Sequence, residues 1–79
     1  MDVLLFGIVR EIVGEGRLTV PTEAGIANVG DLRQWLTKEY PQFGGLSSLA
    51  VAVDSEYAED DQALTEAAEI ALIPPVSGG

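Results

Sequence analysis

Apolar and polar positions along this chain change period several times, and each change marks an element. Residues 3–8, VLLFGI, form an unbroken apolar run of strand length, the pattern of a strand covered on both faces. In the overlapping IVREIVG, Ile8 and Ile12 stand four residues apart, as do Val9 and Val13, and Gly14 falls where a helical turn would stop. One or two helical turns are expected there. After the GEG turn at 14–16, RLTV alternates and stops at Pro21, as the second strand of a hairpin would.

The strongest helical pattern is NVGDLRQWLTKEYP. Asn28 is a good N-cap with Asp31 three residues on, and Val29, Leu32, Trp35 and Leu36 share one stripe before Pro41 forbids continuation. Trp35 on that stripe is expected in the core rather than as a stacking platform. Beyond a QFGGLSS loop, LAVAV reads as a third strand, and Asp54-Ser55-Glu56 as a turn into a short piece around Tyr57. ALTEA suggests a brief turn before the last strand, at residues 69–73.

The order is strand, strand, helix, strand, short strand, strand. An amphipathic helix must lay its stripe on something, and in a chain of 79 residues the available surface is a single mixed sheet folded around it. The expected class is therefore α+β, a ubiquitin-like β-grasp with a mixed sheet packed on one main helix. A ferredoxin-like alternative needs a second substantial helix late in the chain, and residues 42–79 offer no pattern for one. Residues 1–79 read as a single domain, with 74–79 an extended, flexible C-terminal tail that protrudes from it.

Composition narrows the chemistry. A chain this short buries only about 60% of its unfolded surface, which leaves little depth for an enclosed active site, so the chain is not expected to be an enzyme on its own. It has no cysteine and no histidine, which removes thiolate catalysis, disulfides, the usual zinc sites and histidine general bases. Thirteen acidic side chains against four basic ones give a net charge of −9, which disfavours nucleic acid and anionic membrane and suits a basic protein surface. No apolar run approaches the ~20 residues that cross a bilayer, and without a basic-then-apolar leader the chain is expected in the cytoplasm. The glycines of GEG at 14–16 and FGG at 43–45 fit no nucleotide-binding fingerprint. Glu59, Asp60 and Asp61 with Glu56 lack the spacing and glycine of a calcium loop and read as a solvated turn.

Two stretches ask for a partner. In the first strand Val3 and Leu5 point to one face and Leu4, Phe6 and Ile8 to the other; in the last, Ile70 and Leu72 oppose Ala71 and Ile73. One helix covers one face, so the opposite face is expected to present an apolar patch to another protein. The second stretch is the ending, ALIPPVSGG. Pro74 and Pro75 end strand pairing and hold the chain extended, while Gly78 and Gly79 let a backbone enter a channel too narrow for any Cβ. What such a tail can deliver is its terminal carboxylate, which attack on ATP would convert to an acyl-adenylate that a sulfur nucleophile can turn into a thiocarboxylate. A chain without cysteine can carry sulfur in that form.

LLFGIVREIVG, VGDLRQWL, LAVAVDSEYA and above all IALIPPVSGG resemble the small subunits of molybdopterin synthase, ubiquitin-like sulfur carriers, along nearly the whole chain. The resemblance implies that Gly79 is the catalytic, sulfur-bearing terminus, adenylated by an enzyme related to ubiquitin-activating enzymes. It implies that the tail of Pro74, Pro75, Val76, Ser77 and Gly78 inserts into the large subunit, where sulfur passes to cyclic pyranopterin monophosphate in molybdenum cofactor synthesis. Phe6, Tyr57 and Ile73 would form the apolar contact with that partner, and Arg10 would lie near it. The chain would bind no cofactor or metal of its own, ATP being used by the activating enzyme, and two copies of it would join two large subunits in a heterotetramer. The resemblance departs at Asp54, commonly asparagine, at EAAE over 66–69, and at Leu72-Ile73 in place of an aromatic pair. Two alternatives share the ending: a sulfur carrier for another pathway such as thiamine thiazole synthesis, and a ubiquitin-like modifier of protein lysines.

Overall fold

The computed structural model describes residues 1–45, 49–65 and 68–74. Five strands form one mixed sheet: β1 (Asp2–Leu5), β2 (Arg17–Thr19), β3 (Ala50–Val53), β4 (Glu56–Ala58) and β5 (Ile70–Ile73), in the spatial order β2-β1-β5-β3-β4. β1 and β5 run parallel at the centre, and the other neighbours are antiparallel. Two helices, α1 (Gly7–Val13) and α2 (Val29–Glu39), accompany the sheet, with short 3-10 turns at Thr22–Ala24 and Pro41–Gly45. This is the expected β-grasp arrangement, with α1 added to the main helix.

The first strand is shorter than its apolar run and covered on one face only. Phe6 is still extended, but Gly7 adopts φ +56°, which turns the chain out of the sheet and into α1. Ile8 therefore lies on the helix, half exposed, and not on the outer face of the strand. Val9 is the residue of α1 that enters the core. Gly14, at φ +89°, closes the helix by donating its N–H to the Arg10 carbonyl at 2.8 Å.

α2 begins at its expected cap: Asn28 Oδ1 accepts the Asp31 N–H at 2.8 Å, and Asp31 Oδ2 accepts the Ala27 N–H at 3.0 Å. The connection after β4 closes the same helix end. The carbonyls of Gln62 and Asp60 accept the N–H groups of Val29 and Gly30 at 3.0 and 2.8 Å, and Arg33 Nε meets Asp60 Oδ1 at 2.9 Å. Donors that a helix start leaves unpaired are thus satisfied within the fold. Asp60 of the acidic run is a structural residue, and among the described residues no group of acidic side chains converges as a metal site.

The core lies between the sheet and α2. Val29, Leu32 and Leu36 meet Val3, Leu5, Val51, Ile70 and Leu72, all buried, while Trp35 packs partly buried at the core's edge. Phe43, from the 3-10 turn in the expected loop, is buried in the same core and stacks on Tyr40 with ring centroids 5.6 Å apart. Leu64 adds a further buried side chain from the long connection. Parts of the QFGGLSS loop, at 46–48, and of ALTEA, at 66–67, lie outside the described residues. Among the described residues no helix is long and apolar enough to cross a membrane.

Candidate functional site

Strand register builds the site. On the sheet face away from α2, Leu4 pairs with Ala71, Ala71 with Ala52, and Ala52 with Tyr57, so one row crosses four strands. The two central members are alanines. Larger side chains stand around them, with Phe6 and Ile73 one step along and Glu69 and Ser55 at the other end. The result is a depression of about 300 Å³ lined by Leu4, Phe6, Ala52, Ser55, Tyr57, Glu69, Ala71 and Ile73. Phe6 is 50% exposed and Tyr57 75%, which is unusual for large apolar or aromatic side chains on so small a domain.

Of the residues expected at a partner surface, the structure brings Phe6, Tyr57 and Ile73 together around this depression. Arg10 stands apart. Its guanidinium packs over Gly16 at the hairpin turn, within 3.6–4.0 Å of where a Cβ on that glycine would lie, and it does not line the depression. Pro74 is described and adjoins Ile73; Pro75, Val76, Ser77, Gly78 and Gly79 lie outside the described residues. Ala52, Ser55 and Glu69 are lining residues that the sequence reading missed. Their places depend on which strands pair, and periodicity within one strand carries no signal for that.

The turn that holds one rim is strained. Asp54 and Ser55 both have positive φ, +51° and +71°, as a two-residue hairpin loop between twisted strands requires. Asp54 is better suited to such a conformation than Ser55, because its carboxylate is engaged: Oδ1 accepts the Glu69 N–H at 2.9 Å.

A five-stranded mixed sheet with parallel central strands, one main helix across one face and an open apolar depression on the other defines a small ubiquitin-like β-grasp protein. Residues 3–79 match the ThiS family, and the chain belongs to it. It is 38% identical over 82 residues to the molybdopterin synthase sulfur carrier subunit of Caenorhabditis briggsae, covering 100% of this chain and 96% of that one. Among solved structures, SAMP1 of Haloferax volcanii, a small archaeal modifier protein, has a TM-score of 0.73 at 29% identity, over 99% of this chain and 97% of that one. The complex of subunits 1 and 2 of molybdopterin-converting factor from Helicobacter pylori gives a TM-score of 0.66 at 22% identity, over 99% and 96%, a likeness that speaks for the fold.

Proposed function

We propose that this chain is the sulfur-carrier subunit of a molybdopterin synthase, a sulfurtransferase complex in which Gly79 carries the sulfur. The observation that supports this most is the 38% identity to a sulfur carrier subunit over the whole chain. The depression is the proposed docking face for the large subunit, with Phe6, Tyr57 and Ile73 as its anchors and Arg10 a separate contact beyond it. β5 runs along that face and ends at Ile73, so the chain leaves the domain beside the docking site at Pro74.

In this reading residues 1–79 form one domain with 74–79 as a tail that enters the large subunit. A carboxylate oxygen of Gly79 attacks the α-phosphorus of ATP in an activating adenylyltransferase, and pyrophosphate leaves. Hydrosulfide, or a persulfide whose S–S bond a thiol then reduces, attacks the acyl carbon, AMP leaves, and a thiocarboxylate remains. That group donates its sulfur to cyclic pyranopterin monophosphate inside the large subunit, and water takes the place of sulfur on the acyl carbon, which returns Gly79 to a carboxylate. This chain supplies no base or metal to the step; ATP belongs to the activating enzyme. Its contribution is position and a thin backbone at Gly78. The chain works in the cytoplasm, in a heterotetramer of two small and two large subunits.

The likeness to SAMP1 supports one alternative, a modifier joined to protein lysines. Affinity purification from cells separates the two: a large subunit recovered in stoichiometric amount supports the carrier, and glycine-glycine remnants on many lysines support the modifier.

A further inference from the structure

Gly7 and Pro74 meet where the two central strands part. β1 and β5 stay in parallel register through Leu5 and Leu72. Two residues further on, one chain turns into α1 at Gly7, and the other reaches Pro74, which has no N–H to extend the ladder. A Cβ placed on Gly7 would lie 2.8 Å from Cγ of Pro74, 3.7 Å from Cδ and 4.0 Å from its Cβ. The pyrrolidine ring therefore rests on the bare α-carbon. Gly14 and Gly25 share the left-handed backbone, but a Cβ on either would meet nothing within 4 Å. At those two positions glycine serves a turn; at Gly7 it serves a turn and a contact.

We propose that Gly7 is a positioning residue: by seating the Pro74 ring it fixes the direction in which the C-terminal segment leaves the domain. The inference rests on the carrier reading, in which that segment ends at the reacting group. Proline already fixes its own φ near −65°. The seat on Gly7 adds the orientation of the ring relative to β1, which φ alone leaves free. The neighbours make this useful. Phe6 precedes Gly7 and Ile73 precedes Pro74, and both line the depression, so a partner that grips those side chains receives the tail at a set angle. Ordering the exit before binding removes part of the entropy that a loose tail loses on entering a channel.

The chain has no cysteine, so cysteines introduced at Gln34 and Val76 take nitroxide labels at those positions alone, and the label-to-label distance distribution reports the exit direction. Gly7→Ala and Pro74→Ala are each expected to shift the distribution or broaden it roughly twofold, as a released segment samples more directions. The Gly7→Ala effect should shrink when combined with Pro74→Ala, since the ring it collides with is gone. In parallel, thiocarboxylated chain saturated with the large subunit is expected to transfer sulfur roughly tenfold more slowly in single turnover with either variant. Pro74→Ala adds only a backbone N–H and no side-chain atoms that could clash, so it keeps the test decisive if Gly7→Ala does not fold. Distributions unchanged in the folded variants overturn the proposal, and so does altered exit with an unaltered transfer rate. Failure of the unsubstituted chain to transfer sulfur contradicts the carrier reading instead, and the label distances then judge the seat by themselves.

Discussion

Asp54 and Glu69 hold one another by two hydrogen bonds: the Asp54 N–H donates to the Glu69 carbonyl at 2.8 Å, and the Glu69 N–H donates to Asp54 Oδ1 at 2.9 Å. This clasp ties the β3–β4 turn to the entry of β5, and both ends border the depression through Ser55 and Glu69. Asp54→Ala removes the acceptor and leaves a Cβ-bearing residue at φ +51° without compensation. We expect a loss of about 1–2 kcal/mol, seen as a fall in Tm of roughly 5–15 °C for a domain of this size. Asp54→Asn keeps an acceptor and should stay within about 0.5 kcal/mol of the parent. Ser55→Gly relieves the second strained residue and should raise Tm. Thermal melts followed by circular dichroism decide, and equal losses for Ala and Asn would show that the side-chain half of the clasp contributes nothing.

The division between buried and open faces makes a second prediction. Phe6→Ala, Tyr57→Ala and Ile73→Asp should each weaken binding to a large subunit by about 2 kcal/mol, roughly thirtyfold in Kd, with little change in Tm. Leu72→Ala, one residue from Ile73 but fully buried, should cost about 2–5 kcal/mol of stability. Calorimetric titration beside melting curves reads both. If the Phe6 and Tyr57 variants lose their melting transition while binding holds, these side chains belong to the core.

The third concerns the two alanines that make the depression concave. Ala71→Phe fills the space between Leu4 and Ala52 with apolar surface, at a position half-buried and free to project outward. Stability should hold or rise, while large-subunit binding falls at least tenfold, because a filled depression accepts no side chain from the partner. A variant that binds as well as the parent would mean that the partner docks elsewhere.

What the sequence made legible follows from which contacts are local. α2 is encoded within 14 residues, from the Asn28 cap to Pro41, and formed as read. The two-faced apolarity of β1 and β5 announced an open face, and Phe6 and Ile73 lie on it. Ile8 was misplaced because the parity rule fails where a backbone leaves the strand, and Gly7 marks that point only through a φ that sequence does not print. Phe43 and Leu64 were missed as core residues because each is a single apolar side chain in a polar stretch, buried by distant elements. Ala52 joins the site through its pairing with both Ala71 and Tyr57, a non-local fact.

The central claim is that Gly79 carries the reacting atom, and intact-mass spectrometry tests it most directly. After incubation with ATP, the activating enzyme and a sulfur donor, the chain should gain the mass of one sulfur replacing one oxygen, located in the C-terminal peptide. Deleting Gly79 or adding a residue after it moves the terminus by up to ~3.5 Å, which should abolish molybdopterin formation without loss of stability. Sulfur mapped anywhere other than Gly79, or a shortened or lengthened chain that still makes molybdopterin from its precursor, would contradict the account.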